Sequence, residues 1–415
     1  MPRIEIRDTD LTTSVRSVNT EYAVYVPGLC NRFDEDETKK VALTAAEGPV
    51  LFETLQAFVE RVGSAPATLL NSAVDRSFIY ACELLSAGLP VVYQVILDPV
   101  EAGSGGNAYY AYTEAQICSQ IGGTDFQTNM EKIKDRGMFD ISFITTGGYP
   151  TIYNSGSSST AISLSANGSI CNCAKARGDS FALIDVTDEY EIHKPDDVKG
   201  LPLSESTEDS FIVFPGTSYT PSSSNYTKPI FMPGSFKYLL DFAKSIQGNA
   251  SWFAVAGAKR GLVSGESAYV VTNDEADNLQ PEDGRSVNAI TQIRPYGNCI
   301  WGNRTLAVNT NGTTANSYIN VRQCVHEIKR HLYKTAKALM FSPNDDVLWV
   351  NFKNNVTPLL DRMLSGQGIS SYRLTKVASS ARATLTAKIT ISPIEAVEAF
   401  DITIELTDSE VTAEG

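Results

Sequence analysis

Residues 71–97 read NSAVDRSFIYACELLSAGLPVVYQVIL, and their pattern decides the fold class. The first part carries apolar residues at helical spacing, which predicts a helix over about 71–87. The run Val91-Val92-Tyr93-Gln94-Val95-Ile96-Leu97 follows with a single polar break. A strand so apolar on both faces belongs in a sheet that is covered on both sides. Working outward, Leu51, Leu55, Phe58, Val59 and Val62 predict a helix over about 50–62. Further strands are expected at Phe139-Asp140-Ile141-Ser142-Phe143-Ile144 and Phe181-Ala182-Leu183-Ile184-Asp185-Val186. Helices alternating with buried strands point to an α/β fold on a largely parallel sheet.

Two stretches interrupt this pattern. Residues 146–170 are rich in Gly, Ser and Thr, and residues 203–229 in Ser, Pro and acidic groups, so both read as long surface excursions. A helix over about 235–246 (Phe236, Leu239, Leu240, Phe242, Ala243) closes the region. The acidic, turn-rich segment 274–286 then reads as a domain boundary.

Past that boundary two amphipathic helices are expected. One spans about 319–339, with Val321, Val325, Ile328, Leu332, Ala336 and Leu339 on one stripe and Arg322, Lys329, Arg330, Lys334 and Lys337 on the other side. Ser342-Pro343-Asn344-Asp345 supplies a stop and a cap for the second, which carries Leu348, Trp349, Phe352, Val356, Leu359, Leu360 and Met363 and ends at Gly366 and Gly368. Strand-like alternation returns at 385–391 and 400–406 and is also present at 3–7. The apolar rows of the two terminal segments are Ile4 and Ile6, and Phe400, Ile402, Ile404 and Leu406. An alternating strand at a chain end either closes a sheet of its own subunit or completes one in a neighbour.

Composition narrows the function. At 415 residues two or three domains are the natural expectation. A net charge of −14 argues against coating nucleic acid, which needs clustered Lys and Arg. No stretch approaches the roughly 18 uninterrupted apolar residues of a membrane span. The start, MPRIEIRDTDLTTS, lacks the apolar core of a secretion signal, so folding in a cytoplasm is expected. Seven scattered cysteines suggest reduced, mostly buried thiols, and the six N-x-[ST] sequons are ascribed to chance.

The motifs of chemistry are sparse. No phosphate-binding loop is present, and Gly103, Gly105 and Gly106 lack strand-turn-helix context. His326 and His331, five apart on a helix, fall on opposite faces and read as solvated surface instead of metal ligands. Cys171 and Cys173 have the wrong spacing for a zinc knuckle and read as semi-buried residues at a helix start. His193 is the third histidine available as a base. Gly216-Thr217-Ser218 is similar to a protease serine turn but is followed by a Ser/Pro-rich loop where a helix is required. Arg177-Gly178-Asp179 lies at a helix-to-strand junction, where glycine is useful for its φ. No catalytic residue, cofactor or metal is assigned.

The stretch Asn288-Ala-Ile-Thr-Gln-Ile-Arg-Pro-Tyr-Gly-Asn-Cys-Ile-Trp-Gly-Asn-Arg-Thr-Leu306 closely resembles the signature of contractile tail sheath proteins, as found in myovirus-type phages and, in related form, in bacteriocins and contractile injection systems. The family motif falls on Trp301, Gly302, Arg304 and Thr305, and continues through Pro343, Asn344 and Trp349 to Pro393 and Glu398. Weaker landmarks are Tyr25-Val26-Pro27-Gly28, the segment from Cys173 to Asp185, and Trp252 to Gly261. The resemblance covers most of 21–407 and is specific over 288–406, while the Ser-rich insertions depart from it.

That resemblance implies an α+β multidomain chain. Residues 1–20 would be an N-terminal arm and linker and 21–283 an outer α/β domain, subtilisin-like but without a protease site. Residues 284–393 would form an inner domain and 394–415 a C-terminal arm. It further implies arms that add strands to neighbouring subunits, hinged around 8–20 and 392–398. The copies would form hexameric rings stacked helically around a tail tube, with baseplate and tail terminator proteins as further partners. Nucleic acid and membrane insertion have no part in it. The location would be the virion tail, assembled in a host cytoplasm, with contraction driving the tube through an envelope for genome delivery and no nucleotide consumed. From charge alone, the basic side of the 319–339 helix on an acidic chain is expected to be either a contact with acidic groups on the tube or a solvated or sheath–sheath face. A bacteriocin or injection-system sheath is the alternative within the class, and an α/β hydrolase or ligand-binding protein the alternative outside it.

Overall fold

The computed structural model describes residues 22–30, 43–63, 72–97, 114–121, 123–149, 169–185, 198, 208–220, 229–281, 284–308, 312–378 and 384–398. The terminal segments 3–7 and 400–406, His193 and the glycines at 103–106 lie outside them.

The run at 91–97 is β3 (Val91–Leu97), buried along nearly its whole length. It belongs to an eight-stranded sheet with β1 (Ala23–Leu29), β2 (Val50–Phe52), β4 (Ile141–Ile144), β5 (Phe181–Ile184), β6 (Ser210–Phe214), β9 (Asn288–Ile293) and β10 (Gly297–Trp301), ordered β10-β9-β6-β5-β4-β1-β3-β2. The six central strands pair in parallel, and an antiparallel strand closes each edge. A small hairpin, β7 (Thr217–Tyr219) with β8 (Ile230–Met232), stands apart. Helices cover both faces, as the doubly buried strands require. On one side α2 (Ser72–Ser86) meets α6 (Gly234–Ile246) through Tyr80 and Phe236, whose ring centroids are 5.1 Å apart. On the other, α4 (Thr124–Lys134) sets Phe126 against Tyr25 of β1. The shorter α1 (Leu55–Arg61), α3 (Glu114–Ile121), α5 (169–177), α7 (Gly257–Arg260) and α8 (Asn273–Asn278) complete this body.

Three sequence expectations are corrected. The helix expected from 50 begins at Leu55, because Val50–Phe52 pairs with β3 as an edge strand and Thr54 then caps the helix by accepting from Ala57 N. The 203–229 excursion contains β6, whose five residues are all buried between β5 and β9. Its polar flanks hid a central strand. The boundary at 283/284 falls inside the sheet, since β9 pairs in parallel with β6 and Ile290, Ile300, Leu306 and Ile319 join the main core. A second core begins only with α9 (Ile319–Leu339). Its Cys324 and Ile328 pack with Val356, Leu359, Leu360 and Met363 of α10 (Asp346–Ser365), Ile369 of β11 (Ile369–Val377) and Trp252. β12 (Thr386–Pro393) pairs antiparallel with β11. Both long helices match their expected spans, and Asp345 caps α10 by accepting from Leu348 N at 2.9 Å.

The polar side of α9 docks on the sheet. Positions 322, 326, 330 and 334 form one row, rising about 6 Å per step, and parallel strands are spaced about 4.8 Å. A row of this pitch laid across strand ends meets successive strands. Arg322 and His326 both engage Asp209, just before β6, the His326 Nε2–Oδ1 distance being 2.7 Å. Arg330 Nη1 donates to the Asp179 carbonyl, just before β5, at 2.8 Å. Lys334 pairs with Asp140, just before β4, at 2.5 Å. The expected surface role is thereby corrected: Arg322 and Arg330 are each only 6% exposed, and His326, expected in solvent, is fully buried with its ring 4.4 Å from Phe181.

Arg177-Gly178-Asp179 lies in the same seam. Gly178 has the expected positive φ of 63°, but Arg177 is fully buried, bonded to Asp179, Ser180 and the Phe139 carbonyl, and offers nothing to an adhesion receptor. None of the seven cysteines forms a disulfide, and six are buried. Cys171 and Cys173 are fully buried instead of semi-buried, and burial pushes the Cys173 thiol up to about 12, which makes it inert at neutral pH.

Burial lowers the His326 pKa to about 4, opposed by its bond to Asp209 and aided by Arg322 and Arg330. Burial alone would raise Asp209, but the bonds and charges of His326 and Arg322 hold it down at about 2. The unfolded chain therefore binds a proton at His326 that the folded chain refuses, so stability falls as pH drops from about 6.5 to about 4. The Asp209 contribution is lost lower still, from about 3.8 towards about 2. Thermal unfolding followed against pH should show the first decline in the wild type, and His326→Gln, which keeps a donor for Asp209, should flatten it.

Candidate assembly interface

Parallel α/β sheets usually bind ligands in the crevice where strand order reverses, at the carboxyl ends of the strands. Here that point lies between β1 and β4, and the protein's own side chains fill it. Tyr93 Oη donates to the Leu29 carbonyl at 2.7 Å, Tyr149 Oη to Ser77 Oγ at 3.1 Å, and Tyr80 Oη lies 3.0 Å from Ser235 Oγ. All three tyrosines are fully buried. Gly28 is required for this closure, because a Cβ there would stand 2.0 Å from Tyr93 Oη. Burial pushes Asp185 up to about 7, against hydrogen bonds from Ser235 and Thr146. Ser218, in the suspected serine turn, lies in β7, and its Oγ accepts from Glu266 N. Among the described residues no group of three His, Cys, Asp or Glu is placed to hold a metal, and no helix is long and apolar enough to cross a membrane.

Among the described residues an open groove lies where the two cores meet. A groove of about 1050 Å³ is lined by Trp252, Phe253, Trp301, Arg304 and the segment 394–398. The sequence signature builds it. Asn288 acts as a bracket: its Nδ2 donates to the Ile212 carbonyl at 2.9 Å and the Arg304 carbonyl at 2.8 Å, and its Oδ1 accepts from Arg304 N at 2.7 Å. Gly302 passes so close that a Cβ would lie 2.7 Å from Asn288 Oδ1. Thr305 is buried and donates to the Asn316 carbonyl at 3.0 Å. Trp301, 41% exposed, and Arg304 face the groove, and Arg304 lies 4.6 Å from the centroid of Tyr318. Arg304 Nε also donates to Glu398 Oε1 at 2.9 Å.

Trp252 ties this wall to the second core. Its Nε1 donates to the Gly366 carbonyl at 2.8 Å, and the indole lies so close to Gly366 and Gly368 that neither position has room for a Cβ. The structure thus unites Trp301, Gly302, Arg304 and Thr305 with 394–398. It does not bring Pro343, Asn344 and Trp349 to them. Those sit at the far tip of the α9–α10 hairpin, a helix length of about 30 Å away, where Trp349 stacks on Phe352. In the sequence Trp252 is only a weak landmark, and nothing there gives Glu398 a partner 94 positions upstream.

The hairpin β11–β12 is the other exposed element. Each strand pairs only with the other among the described residues, so each has an outer edge without a strand partner. Tyr372, Leu374, Ile389 and Ile391 pack one face on the second core.

No protein-family model matches the sequence, and no curated protein matches it. Solved structures do match in fold. A chain in the cryo-EM structure of the anti-feeding prophage (AFP) baseplate, 6-fold symmetrised, aligns over 98% of this chain and 99% of its own, with TM-score 0.64 at 14% identity. The PVC sheath complex of an extracellular contractile injection system, in the contracted state, aligns over 99% and 98% with TM-score 0.60 at 15% identity. The AFP helical sheath in the contracted state aligns over 98% and 99% with TM-score 0.59 at 14% identity. The fold is therefore one shared, nearly end to end, with chains of contractile assemblies. The resemblance carried by the 288–306 signature and the likeness in fold point to the same class.

Gly302→Ala should lower stability by about 2–3 kcal/mol, because Asn288 is held by three bonds and has nowhere to retreat. Thermal unfolding of the variant checks this, and adding Gln280→Ala should recover little, since the clash with Asn288 remains.

Proposed function

We propose that this chain is the repeating subunit of a contractile sheath, polymerising around a rigid tube and shortening to drive it forward. The single observation that carries the reading is the end-to-end likeness in fold, over 98% or more of both chains, to components of contractile assemblies. In this reading the body built on the eight-stranded sheet is the subtilisin-like outer domain without a protease site.

In the proposed assembly the outer edges of β11 and β12 receive terminal strands from neighbouring copies, the apolar rows being Ile4 and Ile6 or Phe400, Ile402, Ile404 and Leu406. Backbone ladders suit this use because they hold while the bodies behind them rotate. The copies would form hexameric rings stacked helically, bounded by baseplate and terminator proteins. With Arg322, Arg330 and Lys334 engaged within the chain, Lys337 and the half-buried Lys329 are the cations of the original set left for an acidic tube. A phage tail, serving genome delivery from a virion, and an injection system remain the two settings. The second is favoured by the AFP and PVC assemblies among the structural likenesses.

Negative-stain microscopy of the purified chain should show long hollow tubes. Deleting 399–415 should leave a folded monomer, judged by an unchanged unfolding transition, that forms none. A discrete small oligomer of the full chain, saturably binding a small molecule, would overturn the reading in favour of a ligand-binding protein.

A further inference from the structure

Beyond β12 the chain crosses the mouth of the groove as a strap. Its near end is fixed: Ile394 N donates to the Gly368 carbonyl at 3.1 Å, and the Ile394 carbonyl accepts from Asn320 Nδ2 at 3.2 Å. Its far end is Glu398, whose carboxylate takes both Nε and Nη2 of Arg304 in a two-pronged pair. Between these anchors, no hydrogen bond among the described residues ties Glu395, Ala396 or Val397 to the body, and Val397 is 71% exposed. What lies beneath the strap is the open groove instead of packed core.

The two halves of the Arg304–Glu398 pair are held unequally. Arg304 is fixed by the Asn288 bracket on its backbone and by Tyr318 under its guanidinium, and its side chain is only 9% exposed. The Glu398 side chain is 28% exposed, so water can take over its oxygens when it leaves. Arg304 then keeps its ring contact and waits in place. Nη1 has no partner even when the pair is made.

We propose that Arg304 and Glu398 form a latch that sets the direction in which the chain leaves the body after residue 398. Closed, two anchors fix the exit direction. Open, the strap pivots at Ile394, and four residues of extended chain carry the exit point through a radius of about 13 Å. The latch stands on the geometry of this chain, and its use rests on the sheath reading. An arm that stays attached to a neighbour while the bodies reorient needs an exit direction that can change.

A glutamate-specific protease reads the latch in the full chain, through the rate of cleavage after Glu395 followed by intact mass. Glu398→Gln should be cut about fivefold faster than wild type at low salt, as expected for losing a partly exposed ion pair. Raising the salt should speed the wild type towards the variant and leave the variant unchanged. Arg304→Lys, which keeps the charge but loses the two-pronged geometry, should fall between them. Equal cleavage of wild type and Glu398→Gln at every salt concentration would overturn the latch, as would the same salt response in both. Microscopy of the same samples separates the two ideas. Wild type without tubes would sink the sheath reading while the cleavage ratio still decides the latch. Tubes with unchanged cleavage would sink the latch alone.

Discussion

A row of α9 side chains laid across the amino ends of the parallel strands is the contact on which the rest of this molecule depends. Arg322, His326, Arg330 and Lys334 meet Asp209, Asp179 and Asp140, each at or just before the start of a strand. Burying Arg322 and Arg330 is tolerable because each finds a carboxylate or a carbonyl, and the buried, neutral His326 bonds to Asp209 as well, while Lys334 pairs with Asp140 at the exposed end of the row. Since removing one partner of such a pair commonly costs about 3–5 kcal/mol, the seam fixes the helix in one position along the sheet. The second core is built on the opposite side of that helix and inherits its placement.

This arrangement makes α9 a strut shared by two cores. Its first turns are buried nearly all round, with Ile319 in the main core and Cys324 and Ile328 in the second. The described chain also enters and leaves beside it. Tyr22, just before β1, donates from Oη to Glu327 Oε2 at 3.3 Å, and Arg330 lies over its ring. Asn320 holds the Ile394 carbonyl at the start of the strap. Forces arriving at either point therefore act on one rigid element.

The two ends of the sheet have opposite characters. At the carboxyl ends, where an α/β enzyme keeps its site, tyrosines close the crevice. At the junction with the second core a groove stays open, walled by Trp252, Trp301 and Arg304.

Whatever depends on local pattern is legible in the residues themselves. β3, α9 and α10 lie where periodicity placed them, because a doubly apolar run or a capped amphipathic stripe has one low-energy answer whatever surrounds it. The 288–306 signature marked residues that the fold does bring together, Asn288 with Gly302 and Arg304. The rest depends on how the elements stack. Four apolar residues, Phe211 to Phe214, between polar flanks became the central strand β6 because β5 and β9 were there to pair with it. A helix face that looked solvated became a buried seam because three aspartates, distant in sequence, converge on it, and charge in a sequence carries no record of its eventual partner. Arg304 and Glu398 make the same point across 94 positions: periodicity reports which way a side chain points along its own element, whereas the group it meets is set by how the elements are stacked.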